Sequence, residues 1–178
     1  MVVYDLEAKE PKSDEEDWVE YKVRAGLGCG VVYDLGTDSW EVFFEKDVNE
    51  LVNKLEKADG VVSYNGIGFD HVLLDCIVGR RIFIRKEVDL WEKIKEAKGE
   101  TRWPKGSWTL GAVCERTIGL SKEKIGAFAP ELLMNGEVKK VVDYCIKDVK
   151  MCRDLWLFVR KYGYVLDPEM KRVDVSLD

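Results

Sequence analysis

The sequence predicts an α/β fold built as one domain. Strand-like stretches come first and segments of helical periodicity are interleaved after them, the order of an α/β chain. The 178 residues are 46% hydrophobic, enough to bury one proper core. No repeat, low-complexity tract or linker divides the chain, so one domain over 1–178 is expected, with a core to about residue 162 and a tail over 163–178.

Each element has a local reason. "VVYDLEA" reads as a buried strand, and "EPKSDEED" as a polar loop after it. "WVEYKVRAGLGCGVVYDLGTDSWEVFFE" reads as strand-like stretches, with "DLGTD" turning between "GVVYD" and "SWEVFFE". "DVNELVNKLEKADG" is an amphipathic helix. Asp47 is its expected N-cap, Val48, Leu51, Val52 and Leu55 are its apolar stripe, and Gly60 is its stop. "VVSYN" is a short buried strand and "FDHVLLDCIVG" a helix. The strand-like "RIFIRKEV" leads into the helix "DLWEKIKEAKG". The loop "ETRWPKGS" leads into the helical "WTLGAVCERTIG". One long helix is expected from about Glu137 to Tyr162. For the tail two readings stand, an extra strand or a segment that docks a partner.

Charge and cysteine usage exclude several classes. No apolar run approaches the roughly 20 residues that span a bilayer, so no membrane partner is expected. The start, acidic from position 5, is unlike a signal peptide. Five cysteines without a CxxC pair or zinc spacing read as reduced, mostly buried thiols, and a cytoplasmic location is expected. Cys145 and Cys152 share one helical face and read as core packing. The net charge of −6 hides an uneven distribution: residues 1–78 carry 7 Lys/Arg against 18 Asp/Glu, residues 79–124 carry 12 against 7. An acidic portion beside a basic one suits metal near the first and phosphates near the second; equally, such charges solvate a surface.

Three short motifs carry chemistry. In "VVYDLEA" the alternation of a strand puts Asp5 and Glu7 on one face, about 7 Å apart along the chain. Two anions so placed repel unless a cation lies between them, although the pair alone reads more simply as a strand entering a solvated acidic loop. In "VVSYNGIGFDHVLL" another apolar strand runs through a glycine-bent loop to Asp70 at a helix start. A dinucleotide fingerprint fails there, because His71 stands where its third glycine belongs. A plain dipole-complementing carboxylate is the simpler reading of Asp70. In "VVDYCIKDVKMCRDLW", Tyr144 and Asp148 are four apart on one helical face.

Taken together and in this order, "YDLEA", "YNGIGFD" and "YCIKD" resemble the three exonuclease motifs of the DEDD 3′–5′ exonucleases, within the DnaQ-like, ribonuclease H-like superfamily. The second and third are similar in style to the proofreading domains of B-family DNA polymerases, and the domain size is that of a stand-alone or helicase-associated exonuclease. The likeness runs from residue 2 to about 160. The histidine subtype has His five residues before the last Asp, where this chain has Asp143, so the tyrosine (DEDDy) subtype is indicated. His71 is read as a spectator.

The resemblance implies a mixed five-stranded sheet flanked by helices and a metal-dependent 3′–5′ exonuclease acting on single-stranded 3′ ends, DNA favoured and RNA possible. It implies two divalent cations, Mg²⁺ or Mn²⁺. Asp5, Glu7 and Asp148 would hold one, and Asp5 would bridge to a second that Asp70 supports. Tyr144 would aim the attacking water, since a phenol with a pKa near 10 is a poor base at neutral pH. Leu6 and Phe69 would pack against the terminal nucleotide and Asn65 would shape the site. The chemistry agrees independently: phosphodiester hydrolysis needs an activated water and a stabilised leaving oxygen, and hard cations want carboxylates rather than Cys or His clusters. Arg80, Arg81, Arg85, Lys86, Arg102 and Lys105, with Trp103 and Trp108, could guide a strand, although core filling is the better reading of Trp108. A helicase or polymerase is the expected kind of partner. Two rivals remain. One is a non-catalytic ribonuclease H-like module that binds nucleic acid or a partner. The other is a phosphatase with Asp5 as nucleophile, in which Glu7 stands where a second aspartate belongs.

Overall fold

The computed structural model describes residues 1–99, 106–121 and 129–177; Arg102, Trp103 and Lys105 lie outside them. The chain runs β1 (Val2–Ala8), α1 (Trp18–Arg24), β2 (Leu27–Asp34), β3 (Ser39–Phe43), α2 (Val48–Lys57), β4 (Val61–Ser63), α3 (Asp70–Val78), β5 (Glu87–Asp89), α4 (Leu90–Lys98), α5 (Leu110–Ile118), α6 (Ala129–Met134), α7 (Val138–Tyr162), β6 (Tyr164–Leu166) and β7 (Arg172–Asp174).

Five strands form one mixed sheet in the order β3-β2-β1-β4-β5. β1 pairs antiparallel with β2, and β2 with β3, while β4 runs parallel to β1 and β5 parallel to β4. With helices on both faces this is the ribonuclease H-like arrangement that the motifs implied. β1 is central because its residues are apolar on both faces for most of its length. Tyr4 and Leu6 sit in a core with Tyr21, Leu51, Leu55, Leu73 and Leu74. Val3 sits in the opposite core with Ile94, Cys114, Cys145, Val149 and Trp156. Thus α1, α2 and α3 cover one face, and α4, α5 and α7 the other.

Several elements differ from expectation. "WVEYKVR" is the helix α1 and not a strand. Its apolar alternation mimics a strand, but a capping box at its start decides the matter. Asp17 Oδ1 accepts from the backbone N–H groups of Val19 and Glu20 at 2.7 and 2.8 Å, and the Glu20 carboxylate accepts from the Asp17 N–H at 3.4 Å. "RIFIRKEV" contributes only Glu87–Asp89 to the sheet. The N–H groups of Ile82 and Phe83 donate instead to the carboxylates of Asp75 and Glu56, at 2.7 and 3.0 Å, so no ladder forms there. Asp47 does precede α2, yet its carboxylate accepts from the Phe44 N–H at 3.3 Å, closing a single 3₁₀ turn. The tail is a β6–β7 hairpin whose Val165, Val173 and Val175 are buried in the α7 core. No helix among the described residues is long and apolar enough to cross a membrane.

Candidate active site

The carboxyl ends of β1, β4 and β5 meet at one edge of the sheet, and the first two motifs lie there. Asp5 and Glu7 leave the face of β1 that α7 crosses. The Cys145 thiol of α7 donates to the main-chain oxygen of Asp5 at 3.2 Å and to its Oδ2 at 3.6 Å. One ligand atom each from Asp5, Glu7 and Cys145 lies within 4.8 Å of the others. Burial, the neighbouring Cys29 and the Asp5 carboxylate push the Cys145 thiol up, so at neutral pH it is a donor orienting Asp5 and not a soft thiolate. One turn further along α7, Asp148 is buried.

Tyr144, also buried, is pushed well above the ordinary phenol value. Burial is the largest cause, followed by the charges of Asp148, Glu7 and Asp5 and a hydrogen bond to Asp148. The phenol therefore stays protonated and can orient a neighbour by hydrogen bonding; it cannot act as a base.

The second motif reaches the same edge through a constrained loop. After β4, Asn65 takes the left-handed conformation with φ 65°, which Asn tolerates better than most residues. Gly66 passes directly over the sheet edge, where a Cβ would lie 2.6 Å from both Tyr4 Oη and Ser63 Oγ. The loop then delivers Phe69 and the buried Asp70, first residue of α3. Burial, then the charges of Asp5, Asp89 and Glu87, push the Asp70 carboxyl well above the usual carboxylate range. His71, read as a spectator, has its Nε2 2.8 Å from Glu87 Oε2.

Leu6, Glu7, Asn65 and Phe69 line one groove of about 650 Å³ together with Lys12, Trp18, Tyr21, Lys22 and Pro130. The structure thus brings the β1 pair, the loop residues and the groove to one place. Asp70 and Asp148 stand outside the tight Asp5–Glu7–Cys145 group but close enough for their charges to be felt there: Asp70 senses Asp5, and Tyr144 senses Asp148, Glu7 and Asp5 together.

A solved structure shares this fold. It is the family B DNA polymerase from the hyperthermophilic archaeon Pyrobaculum calidifontis, with a TM-score of 0.67 and 16% identity over 89% of this chain and 24% of that one. The chain therefore spans about a quarter of that polymerase's length. No protein-family profile and no curated protein matches the sequence.

One expectation about the surroundings changes and another holds. Arg85 and Lys86 precede β5, at the end of the sheet opposite the carboxylates, and Arg80 is engaged by Glu56 through two hydrogen bonds of 2.6 and 2.9 Å. Trp108 is buried in the α7 core, as core filling requires.

Sequence reasoning passed over Asp89 entirely. Its carboxylate is buried and accepts from four backbone N–H groups: Asn65 at 2.7 Å, Ile67 at 3.1 Å, Trp91 at 2.9 Å and Glu92 at 3.4 Å. It caps α4 and clamps the Asp70 loop at once. A signal for the cap was present, an Asp directly before "LWEKIKEAK". The clamp left none.

The donor set fits a hard divalent cation. Oxygen donors from two adjacent carboxylates dominate, a third acid is held with a raised carboxyl nearby, and the only sulfur in the group is a buried, protonated thiol.

Proposed function

We propose that this protein is a metal-dependent 3′–5′ exonuclease that removes nucleotides from single-stranded ends, DNA being the favoured substrate. The observation that carries the reading is the close group of Asp5, Glu7 and Cys145 between β1 and α7, with Asp70, Tyr144 and Asp148 near enough for charge to act between them and that group. The sequence motifs resemble B-family proofreading domains, and the fold is shared with a family B DNA polymerase. The motif likeness supplies the chemistry of this reading, and the shared fold supports the scaffold it needs.

In this reading Asp5, Glu7 and Asp148 would hold one Mg²⁺ or Mn²⁺, and Asp5 and Asp70 would support a second. When bound, such ions lower the pKa of water and stabilise the leaving oxygen. The chain's own residues do the rest. Cys145 fixes the orientation of Asp5, Tyr144 donates a hydrogen bond that aims the nucleophile, and Leu6 and Phe69 pack against the terminal nucleotide while Asn65 shapes the loop. Helicase or polymerase association belongs to the same proposal.

Incubating a 5′-labelled oligonucleotide with the protein in Mg²⁺ or Mn²⁺ tests it. A ladder of shortened products is expected from the wild type and is lost in Asp5→Ala and Asp148→Ala. A ladder that persists in both variants overturns the site assignment. A wild type that binds DNA and RNA without cutting either would identify a binding module instead.

A further inference from the structure

Antiparallel neighbours such as β1 and β2 need only a hairpin of about 2–5 residues to join them. Here residues 9–26 make the connection, and they carry the helix α1. This connection faces the groove beside the carboxylates. Trp18, Tyr21 and Lys22 have the i, i+3, i+4 spacing of one helical face, and all three line the groove with Leu6, Glu7 and Phe69.

Trp18 is 61% exposed, a large apolar surface left open at the mouth of a polar site. It is also held in place: its ring meets Tyr21 edge-on at 5.7 Å and Phe69 edge-on at 6.4 Å between centroids. Phe69 immediately precedes Asp70, so α1 and the Asp70 loop share one aromatic cluster. Lys22 strengthens that link by donating from Nζ to the Gly68 carbonyl at 2.7 Å. The Lys12 ammonium lies 5.5 Å from the centroid of the Trp18 ring and is held there by donating to the Ser13 carbonyl at 2.9 Å and to the Glu16 carbonyl, which places a cation and an aromatic surface side by side.

Glu7 and Glu131 also line the groove, whereas the two acids just before Trp18 are engaged in structure. Asp17 caps α1, and Glu16 receives two hydrogen bonds of 2.6 Å from Arg24. The groove's volume, about 650 Å³, falls within the range of small-molecule sites, about 300–1,000 Å³.

We propose that Trp18 receives the base of the 3′-terminal nucleotide of a single strand, with Lys12 beside it to meet phosphate. The proposal rests on the exonuclease reading and adds to it a substrate wall supplied by α1. An indole accepts any base by stacking and a neighbouring ammonium accepts any phosphate, so the recognition is of a single-stranded end without preference for its sequence. A base that remains paired offers no free face to the ring, so duplex ends are disfavoured.

The test is a double-substitution cycle read by binding, with EDTA present so that nothing is cut. A 5′-fluorescein oligodeoxythymidylate and the same oligonucleotide lacking its 3′-terminal base are titrated by anisotropy against wild type, Trp18→Ala and Trp18→Phe. Removing the indole or removing the base is expected to weaken wild-type binding about tenfold, and removing both to weaken it no further. Trp18→Phe is expected to restore most of the loss. Equal weakening of the two oligonucleotides by Trp18→Ala overturns the proposal and leaves the exonuclease reading standing. A wild type that binds neither oligonucleotide likewise overturns the proposal. Strand cleavage in Mn²⁺, measured separately, decides the exonuclease reading whichever way the cycle falls.

Discussion

Asp70 is a carboxylate buried among other carboxylates, and its raised carboxyl has a consequence for stability. A group whose folded pKa exceeds its unfolded one contributes stability that is present below the ordinary carboxylate range and is lost as pH rises through the folded value. In EDTA, the wild-type Tm should therefore fall as pH rises from about 4 toward neutrality, beyond whatever fall Asp70→Asn shows. At pH 7 the Asp70→Asn variant should melt higher than wild type by a few degrees, because ~1 kcal/mol corresponds to about 2–4 °C at this size. The same variant should cut at least a hundredfold more slowly in Mn²⁺. A variant that melts lower than wild type at pH 7 would remove Asp70 from the acid cluster. For Tyr144, protonated throughout the working range, Tyr144→Phe should lower kcat about tenfold or more without moving the pH profile. A profile that shifts would make the phenol a proton carrier.

The loop from Ser63 to Asp70 is held from outside itself, by β5. Asp89→Ala leaves four backbone donors without their carboxylate and should destabilise the protein by about 2–4 kcal/mol, with a loss of cleavage larger than the loss of folded protein. Asp89→Asn keeps an acceptor oxygen and should recover part of both. Urea unfolding beside initial rates separates the two effects. Gly66 is the other fixed point. Its added methyl group would strike Tyr4 Oη and Ser63 Oγ at 2.6 Å, so Gly66→Ala should raise the loop and cut kcat strongly. Unchanged kinetics in this variant would show that the loop has room to move. The helix α1 shows why elements of this length are hard to read. Val19, Tyr21 and Val23 alternate as a strand would, and only the Asp17–Glu20 capping box tells otherwise.

Across the whole molecule, the tail belongs to the core. Val165, Val173 and Val175 are buried against the α7 layer, and the Arg116 Nε–H donates to the Leu166 carbonyl at 3.2 Å. Truncation after Tyr162 should cost about 4 kcal/mol or more and lower the Tm accordingly; a truncated chain that melts like the full one would make the hairpin an appendage. Cation binding should act on the whole fold too. At a hundred times its Kd, Mn²⁺ should add about 2.7 kcal/mol to the wild type and almost nothing to Asp5→Ala, as read by Tm with and without EDTA.

The sequence by itself determined the α/β class, the long α7 and α2, and the residues of the three motifs. Those features are local: hydrophobic period, caps and short spacings are written within a few positions of one another. The mixed five-stranded sheet followed only through the likeness of the motifs, and its strand order only from the structure. Tertiary structure alone decided that Cys145 would hold Asp5, that Asp89 would clamp a loop 24 residues away, that Arg85 and Lys86 would fall at the far end of the sheet, and that α1 would wall the groove. Each is a contact between segments distant in the chain. No local pattern encodes such a contact, because the free energy that selects it comes from packing the two helical layers onto the sheet.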